Sequence, residues 1–311
     1  MKTHELPVCP ACKSGEILRF DLGDGHLLKK CRSCETVSAL EYADPDEIYT
    51  DGYLLGDSEW GLGFDVRHPV FQKFLAAVAE RRFELIESVA GKPGSFLDVG
   101  SGTGEILEGG HKRGWTVQGV EPERTGAEVA MERGVPVTVA MLEESGLPER
   151  SYDVVGAFHV LEHIPDSQSF IRTLARWAKP GGHVVIEVPN FGSVQRRRSG
   201  HNWVGLRPLQ HIVHFTPRTL ERTLRASGLE PRLVRTPVYL GPPQDLDQAI
   251  GDLARGPRFR RLMAPLAPER GANGDTARVP NSAGWAVLHA LEALYDRAGV
   301  GTVVFSVSRV P

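Results

Sequence analysis

The chain has 311 residues, room for one large domain with a small companion and for a sizeable buried core. Apolar residues make up 41% of it and charged residues 24%, with a formal net charge of -3, so no global basic field draws it to nucleic acid or anionic lipid. The opening "MKTHELPVCPACKSG" lacks an apolar signal core, and no run approaches the roughly 20 apolar residues of a membrane span, so a cytoplasmic protein is expected.

All four cysteines fall in the first 34 residues, as Cys9-x2-Cys12, eighteen residues, then Cys31-x2-Cys34. Each C-x2-C turn aims two thiolates at one point, and two such turns close a tetrahedron suited to structural Zn²⁺. Four thiolates leave no open coordination position, and a segment this short needs the metal to fold. Paired disulfides are the competing reading, disfavoured without a secretion signal. Between the pairs, "GEILRFDLGDGHLLKK" reads as a hairpin turning at "GDG". Residues 1–43 are therefore expected to form a zinc ribbon.

Residues 44–64 are acidic, aromatic and aperiodic, and read as a linker whose Tyr49 and Tyr53 could close as a lid over a ligand. Residues 70–90 carry apolar groups at helical spacing and stop at Gly91-Lys92-Pro93. Strands at 95–99, 116–120, 137–139, 153–158 and 183–188 then alternate with helices at 104–113, 125–133 and about 168–178. Such alternation predicts an α/β fold, a mostly parallel sheet with helices on both faces. Thr216-Pro217 marks a helix start that Gly228 ends. Residues 238–281 turn rich in Pro, Gly and Arg with a helical patch near 244–255, and 282–298 read as helix. "GTVVFSVSRV" (301–310) alternates, and would add a last, antiparallel strand.

"LDVGSGTGEIL" ends a strand and opens a helix, with Gly100, Gly102 and Gly104 letting backbone approach a ligand. A dinucleotide loop wants G-x-G-x-x-G, but counting from Gly100 the third position is Glu105, and from Gly102 it is Leu107. Glu105 would also repel a pyrophosphate. Glu121, ending the next strand about twenty residues on, suits both ribose hydroxyls. Nucleoside binding without a phosphate cradle is what these residues favour.

Strand, GxGxG, helix, then strand and acid resembles the class I S-adenosylmethionine-dependent methyltransferases, a Rossmann-like fold. "ERSYDVVGAFHVLEHIPD", "LARWAKPGGHVVIEVPN" and "HIVHFTPRTLERTLRASGLE" resemble the subgroup that includes quinone and small-molecule O-methyltransferases, so that coverage runs from about 65 to 237. The resemblance implies a methyltransferase domain over 65–311 with a substrate cap around 238–298. It implies that Asp98 orients the loop and the ligand's amino group, that the three glycines line methionine and ribose, and that Glu121 holds the ribose. Met141 and Leu142 would flank the adenine, with Glu143 a weaker partner for its amino group. His159 would face the methionine part and the methyl.

In-line methyl transfer needs nucleophile, methyl and sulfur aligned with water excluded. A hydroxyl nucleophile must also lose a proton, for which a neutral His is suited. His211 and His214, with His163 in reserve, are the candidates for that base, or else a structural pair. Arg196, Arg197 and Arg198 could grip an anionic group on the acceptor or form a solvated face. The expected acceptor is a small molecule, sugar or lipid-linked compound. Ribosomal RNA methylation, sugar C-methylation and non-catalytic cofactor binding are the competing readings, and the absence of an aromatic–basic stripe counts against RNA. Oligomeric state is not legible.

"FHVLEHIPD" (158–166) also matches H-x-x-E-H, a zinc-peptidase spacing. That chemistry needs both histidines on one helix, whereas a strand runs into His159 and Pro165 biases Ile164 away from helix. Some related quinone O-methyltransferases carry E-x-x-E-H there and bind a divalent metal. His159 replaces the first acid, so the stretch reads as the wall of a methyl-donor pocket.

Overall fold

The computed structural model describes residues 2–49, 53, 69–238 and 293–311. The expected linker is thus described only at its first residues and at Tyr53, and the helical patch near 244–255 lies outside the described residues, as does most of 282–298.

A seven-stranded sheet forms the main body. Its strands, in chain order, are β6 (Ser95–Val99), β7 (Thr116–Val120), β8 (Val137–Thr138), β9 (Tyr152–Phe158), β10 (Ala178–Pro189), β12 (Glu230–Arg235) and β13 (Val303–Arg309). Across the sheet they run β12-β13-β10-β9-β6-β7-β8. The five from β8 to β10 are parallel, and β13 lies antiparallel to both β10 and β12. The last strand is as expected from its alternation. The extra strand β12 is not, because "EPRLVR" starts with Glu-Pro and leaves a half-exposed face. From β6 the chain winds outward through β7 and β8, then returns to β9 on the other side. Between β6 and β9 the winding reverses, the place where open α/β sheets bind ligands beyond the carboxyl ends of their strands.

Helices cover both faces. The side chains of α2 (Pro69–Ala90) and α3 (Glu105–Lys112) pack Phe83, Ile86 and Leu107 against Phe96, Trp115 and Phe158. Phe83 and Phe96 meet edge-on at 5.2 Å between ring centres, an arrangement that adds about 0.5–1.5 kcal/mol beyond area burial. Gly110 in α3 is required by this contact: a Cβ there would stand 2.5 Å from Phe83 Cζ. The opposite face takes α5 (Ser167–Trp177) and α7 (Pro217–Ala226), which bury Ile171, Leu174, Leu220 and Leu224. Thr216 caps α7 in a reciprocal box with Thr219, Pro217 sits in its first turn, and Gly228 leaves it with φ +91°.

The amino-terminal hairpin pairs β2 (Ile17–Asp21) with β3 (Leu27–Cys31), and β3 pairs β4 (Val37–Ser38). Its sheet does not end there. Val37 faces His214 and Ser38 faces Val213 across an antiparallel ladder to β11 (Val213–His214), a strand from the far side of the chain. A second short pair, β1 (Thr3–Glu5) with β5 (Glu41–Ala43), ties the amino terminus to the residues before α1 (Pro45–Ile48). Leu6, Cys9, Ala11, Cys31 and Cys34 share one buried apolar cluster with Leu161, Ile171, Ile212 and Val213. The ribbon is built into the main body.

Candidate active site

At the carboxyl end of β6, Asp98 is 1% exposed, and its Oδ1 has no hydrogen-bond partner. Burial holds its carboxyl well above the usual carboxylate range, against the pull of Arg82. A buried acid with an orphan oxygen at the carboxyl end of a strand fits an incoming ammonium. At the end of β7, Glu121 is also buried and accepts backbone N–H bonds from Gly102 and Glu123, both at 2.8 Å. Burial lifts it to about 7, opposed by those two bonds. Each of its oxygens retains a lone pair for a hydroxyl donor.

The loop between these acids turns through three left-handed glycines, Gly100, Gly102 and Gly104. Gly104 precedes α3 with φ +82°, and a Cβ there would stand 2.7 Å from that of Ala130. Leu142 is buried in a short 3₁₀ turn after β8, and Met141 beside it is 55% exposed. An exposed thioether next to a buried leucine suits the rim of an apolar slot.

β9 ends in the expected stretch. His159 has φ +57°, and Leu161–His163 form a single 3₁₀ turn that Ile164 leaves in extended geometry before Pro165. The two histidines of "HVLEH" therefore do not share a helix. His159 Nδ1 lies 3.3 Å from Glu162 Oε1, and its Nε2 lies 3.2 Å from Glu187 Oε1. Partial burial opposes its charge, but Glu162 and Glu187 outweigh that and lift it to about 9. Glu187 in turn is paired with Arg82, whose Nε donates to it at 3.1 Å. Sequence reasoning missed this Arg82–Glu187–His159 chain. Its signal was present: an acid inside the apolar strand "HVVIEV" must find a cation.

His163 and His211 come together, their rings edge to face with centres 4.7 Å apart. His163 Nδ1 lies 3.0 Å from the Gln210 carbonyl and 2.7 Å from Tyr49 Oη, and His211 Nδ1 lies 2.8 Å from the Gly205 carbonyl. A carbonyl only accepts, so both rings carry their proton on Nδ1 and present Nε2 as a lone pair. Burial keeps both below the ordinary histidine value, His211 well below, so both are neutral at pH 7. Glu162 beside them is 1% exposed; its Oε1 faces His159, and its Oε2 has no hydrogen-bond partner. One ligand atom from each of Glu162, His163 and His211 lies within 4.8 Å of the others. His214 sits apart from this pair, stacked near Phe191 (5.2 Å) and Trp203 (6.3 Å). Arg196 reaches back over the Phe191 ring at 4.2 Å, and Arg196–Arg198 lie on the short helix α6 (Val194–Ser199).

The four cysteines also gather. Cys9 and Cys34 Sγ stand 3.5 Å apart, as do Cys12 and Cys31, and all four sulfurs lie within 4.8 Å of one another. Bonds of about 2.3 Å to a tetrahedral Zn²⁺ would set sulfurs about 3.8 Å apart, so the arrangement fits that ion. Among the described residues no helix is long and apolar enough to cross a membrane.

Comparison with known proteins matches residues 66–234 to the family described as "Methyltransferase domain". The ubiquinone biosynthesis O-methyltransferase of Ralstonia nicotianae is 30% identical over 174 residues, 50% of this chain and 71% of its own. That of Escherichia coli O9:H4 is 33% identical over 130 residues, 39% of this chain, which thus spans 51% of that enzyme's length. A solved complex between the Haloferax volcanii Trm112 methyltransferase activator and a methyltransferase aligns over 77% of this chain and 93% of its own. Its TM-score is 0.50 at 14% identity, a likeness of fold.

Proposed function

The chain belongs to the methyltransferase-domain family as an S-adenosylmethionine-dependent methyltransferase, and we propose that it methylates a hydroxyl of a small-molecule acceptor. The observation that carries this reading is the neutral His163–His211 pair, with His163 following the carboxyl end of β9 as Asp98 and Glu121 close β6 and β7. The named activity of the Ralstonia and Escherichia relatives, O-methylation in ubiquinone biosynthesis, supports a hydroxyl on a small aromatic or lipid-linked compound.

S-adenosylmethionine supplies an electrophilic methyl on a sulfonium. Asp98 takes the ammonium of its amino-acid tail, Gly100, Gly102 and Gly104 let the backbone close on methionine and ribose, and Glu121 holds the ribose hydroxyls. Met141 and Leu142 flank the adenine, and His159 lines the methionine end. When bound, the cofactor would supply its methyl to the acceptor oxygen, the electron pair of the broken carbon–sulfur bond staying on sulfur. His211 Nε2 takes the hydroxyl proton, with His163 and Tyr49 beside it.

A metal-assisted version has one observation in its favour, the unpartnered Oε2 of the buried Glu162 carboxylate. Glu162, His163 and His211 form a carboxylate and two imidazoles already held by second partners, as ligating histidines are. A divalent cation there would polarise the acceptor hydroxyl. Zn²⁺ at Cys9, Cys12, Cys31 and Cys34 is the structural metal of the proposal, and four reduced thiols suit a cytoplasmic setting.

Calorimetry with S-adenosylmethionine tests the cofactor site, and absence of binding overturns the reading. Labelled methyl donor offered with phenols and catechols, sugars, lipid-linked acceptors and undermethylated RNA then separates the acceptors. Label entering RNA alone would replace the small-molecule assignment.

A further inference from the structure

The ribbon touches the two segments that carry the proposed acceptor-side histidines. Its first knuckle, Cys9–Cys12, sits on the start of α5: Ser167 N–H donates to the Pro10 carbonyl at 3.3 Å, and Gln168 Nε2 donates to the Ala11 carbonyl at 2.8 Å. Lys13 adds an ion pair to Asp166 at 2.9 Å, the same carboxylate that caps α5 through the Ser169 N–H. These docking residues, 166–168, follow His163 by only a few positions.

The second knuckle, Cys31–Cys34, leads through Thr36 into β4. There Val37 and Ser38 pair with His214 and Val213, and Ala39 N–H donates to the Ile212 carbonyl at 2.9 Å. Further along, Ala43 N–H donates to the Leu209 carbonyl at 3.1 Å. The backbone on both sides of His211 is therefore hung from the ribbon.

The two histidine segments are themselves joined. Ile212 N–H donates to the Glu162 carbonyl at 2.7 Å, and His163 Nδ1 donates to the Gln210 carbonyl. The connections close a ring: first knuckle, residues 166–168, His163, the 209–214 segment, β4, second knuckle. What joins one knuckle to the other at the thiols is a pair of 3.5 Å sulfur contacts, where a metal would make four bonds. Asp98 and Glu121, in contrast, hang on β6 and β7, whose sheet partners are each other, β8 and β9.

We propose that the metal held by the four cysteines is the clasp of this ring. It positions His163 and His211 for the acceptor while leaving the cofactor-binding half of the site to stand on its own. The ribbon is then a positioning element of the active site, and metal loading sets methyl-transfer competence without setting cofactor affinity. The inference rests on the proposed acceptor role of His163 and His211.

The test uses the full chain. Zinc is displaced with a mercurial and counted with a chromophoric chelator, and one equivalent per chain is expected. Metal-free and zinc-loaded protein are compared by calorimetry with S-adenosylmethionine, by methyl transfer, and by amide hydrogen exchange. On metal loss, exchange is expected to rise at 166–168 and 209–214 and to stay unchanged at 95–121. Cofactor affinity is expected to be kept, while kcat falls about 10²-fold, the scale of an ångström-level misplacement. A second variant keeps the thiols: Lys13→Ala with Gln168→Ala should retain zinc and cofactor binding yet lower kcat.

Absence of bound zinc, equal exchange with and without metal, or opening of 95–121 in step with 209–214 would each overturn the clasp. So would unchanged kcat in the double variant. Local opening confined to 166–168 and 209–214, with no methyl transfer by either form, would uphold the clasp and refute the histidine roles instead.

Discussion

Arg82 and Glu187, 105 residues apart in sequence, form an ion pair beneath His159, with side-chain exposures of 9% and 0%. Arg82 comes from α2 and lies over the Phe158 ring, 4.8 Å from its centre, so the helix is fastened to the sheet at the site's floor. Removing one partner of such a pair leaves a buried charge, at a cost of about 3–5 kcal/mol. Arg82→Met and Glu187→Gln are each expected to lose stability of that order in urea unfolding. The double variant should recover part of it, because both charges leave together. Additive losses would mean that the two residues act independently.

The same network sets a pH dependence. Burial raises Glu187, but the charge of Arg82 and the His159 bond outweigh it and hold it at about 2. A depressed carboxylate contributes stability above its ordinary range and loses it as pH falls toward 2. His159, lifted to about 9 by Glu162 and Glu187 against burial, contributes in the opposite sense. Its share is full below the ordinary histidine value and is lost as pH rises through 9. With 43% of the side chain exposed, solvent screens the pair, so the alkaline loss is modest. Unfolding free energy measured from pH 6 to 10 should decline across this window, and His159→Gln should flatten the decline. An unchanged slope in the variant would assign the loss to other groups.

The proposed ribose contact of Glu121 predicts a proton-linked signature of cofactor binding. Burial raises it to about 7, so near pH 6 it is mostly protonated in the free protein. Ribose hydroxyls need an acceptor, so a bound nucleoside favours the charged form and expels the proton. Calorimetry at pH 6 in buffers of differing ionisation heat should detect close to one proton released per ligand, falling away above pH 8. Glu121→Gln should abolish the release and weaken S-adenosylmethionine binding by about 10-fold or more, the scale of one charge-assisted hydrogen bond. Release persisting in the variant would point to a different group.

Much of this architecture could be read from the chain because it is local. The loop at Gly100–Gly104, the cap at Thr216-Pro217 and the alternation of 301–310 each carry their geometry in adjacent residues. The four cysteines were legible because their ligand spacing is itself the signal. The ladder between β4 and β11 was not, since two residues from each side, more than 170 positions apart, have no pattern of their own. Nor was the separation of His211 from His214: three residues apart, they read as one pair, yet one faces His163 and the other an aromatic wall. The Arg82–Glu187 pair needed the fold to bring helix and strand together, and only the misplaced acid in "HVVIEV" hinted at it.

That separation yields the sharpest test of mechanism. His211 is buried beside His163 and is neutral at pH 7, with Nε2 left as a lone pair by the Gly205 bond to Nδ1. His214 is buried between Phe191 and Trp203, and burial with the charge of Arg196 lowers it to about 4. On the proposed mechanism the first accepts the proton and the second packs the wall. His211→Ala should lower kcat by about 10²–10⁴-fold, the usual share of a general base, with cofactor affinity unchanged. His214→Phe should keep kcat near the parent value and act through stability alone, because an aromatic ring still fills the wall. Because burial holds His211 below the ordinary histidine value, the acid limb of kcat should also lie below pH 6.5. A limb above that value, together with full turnover in His211→Ala, would move the base to His163, and His163→Ala would then carry the loss.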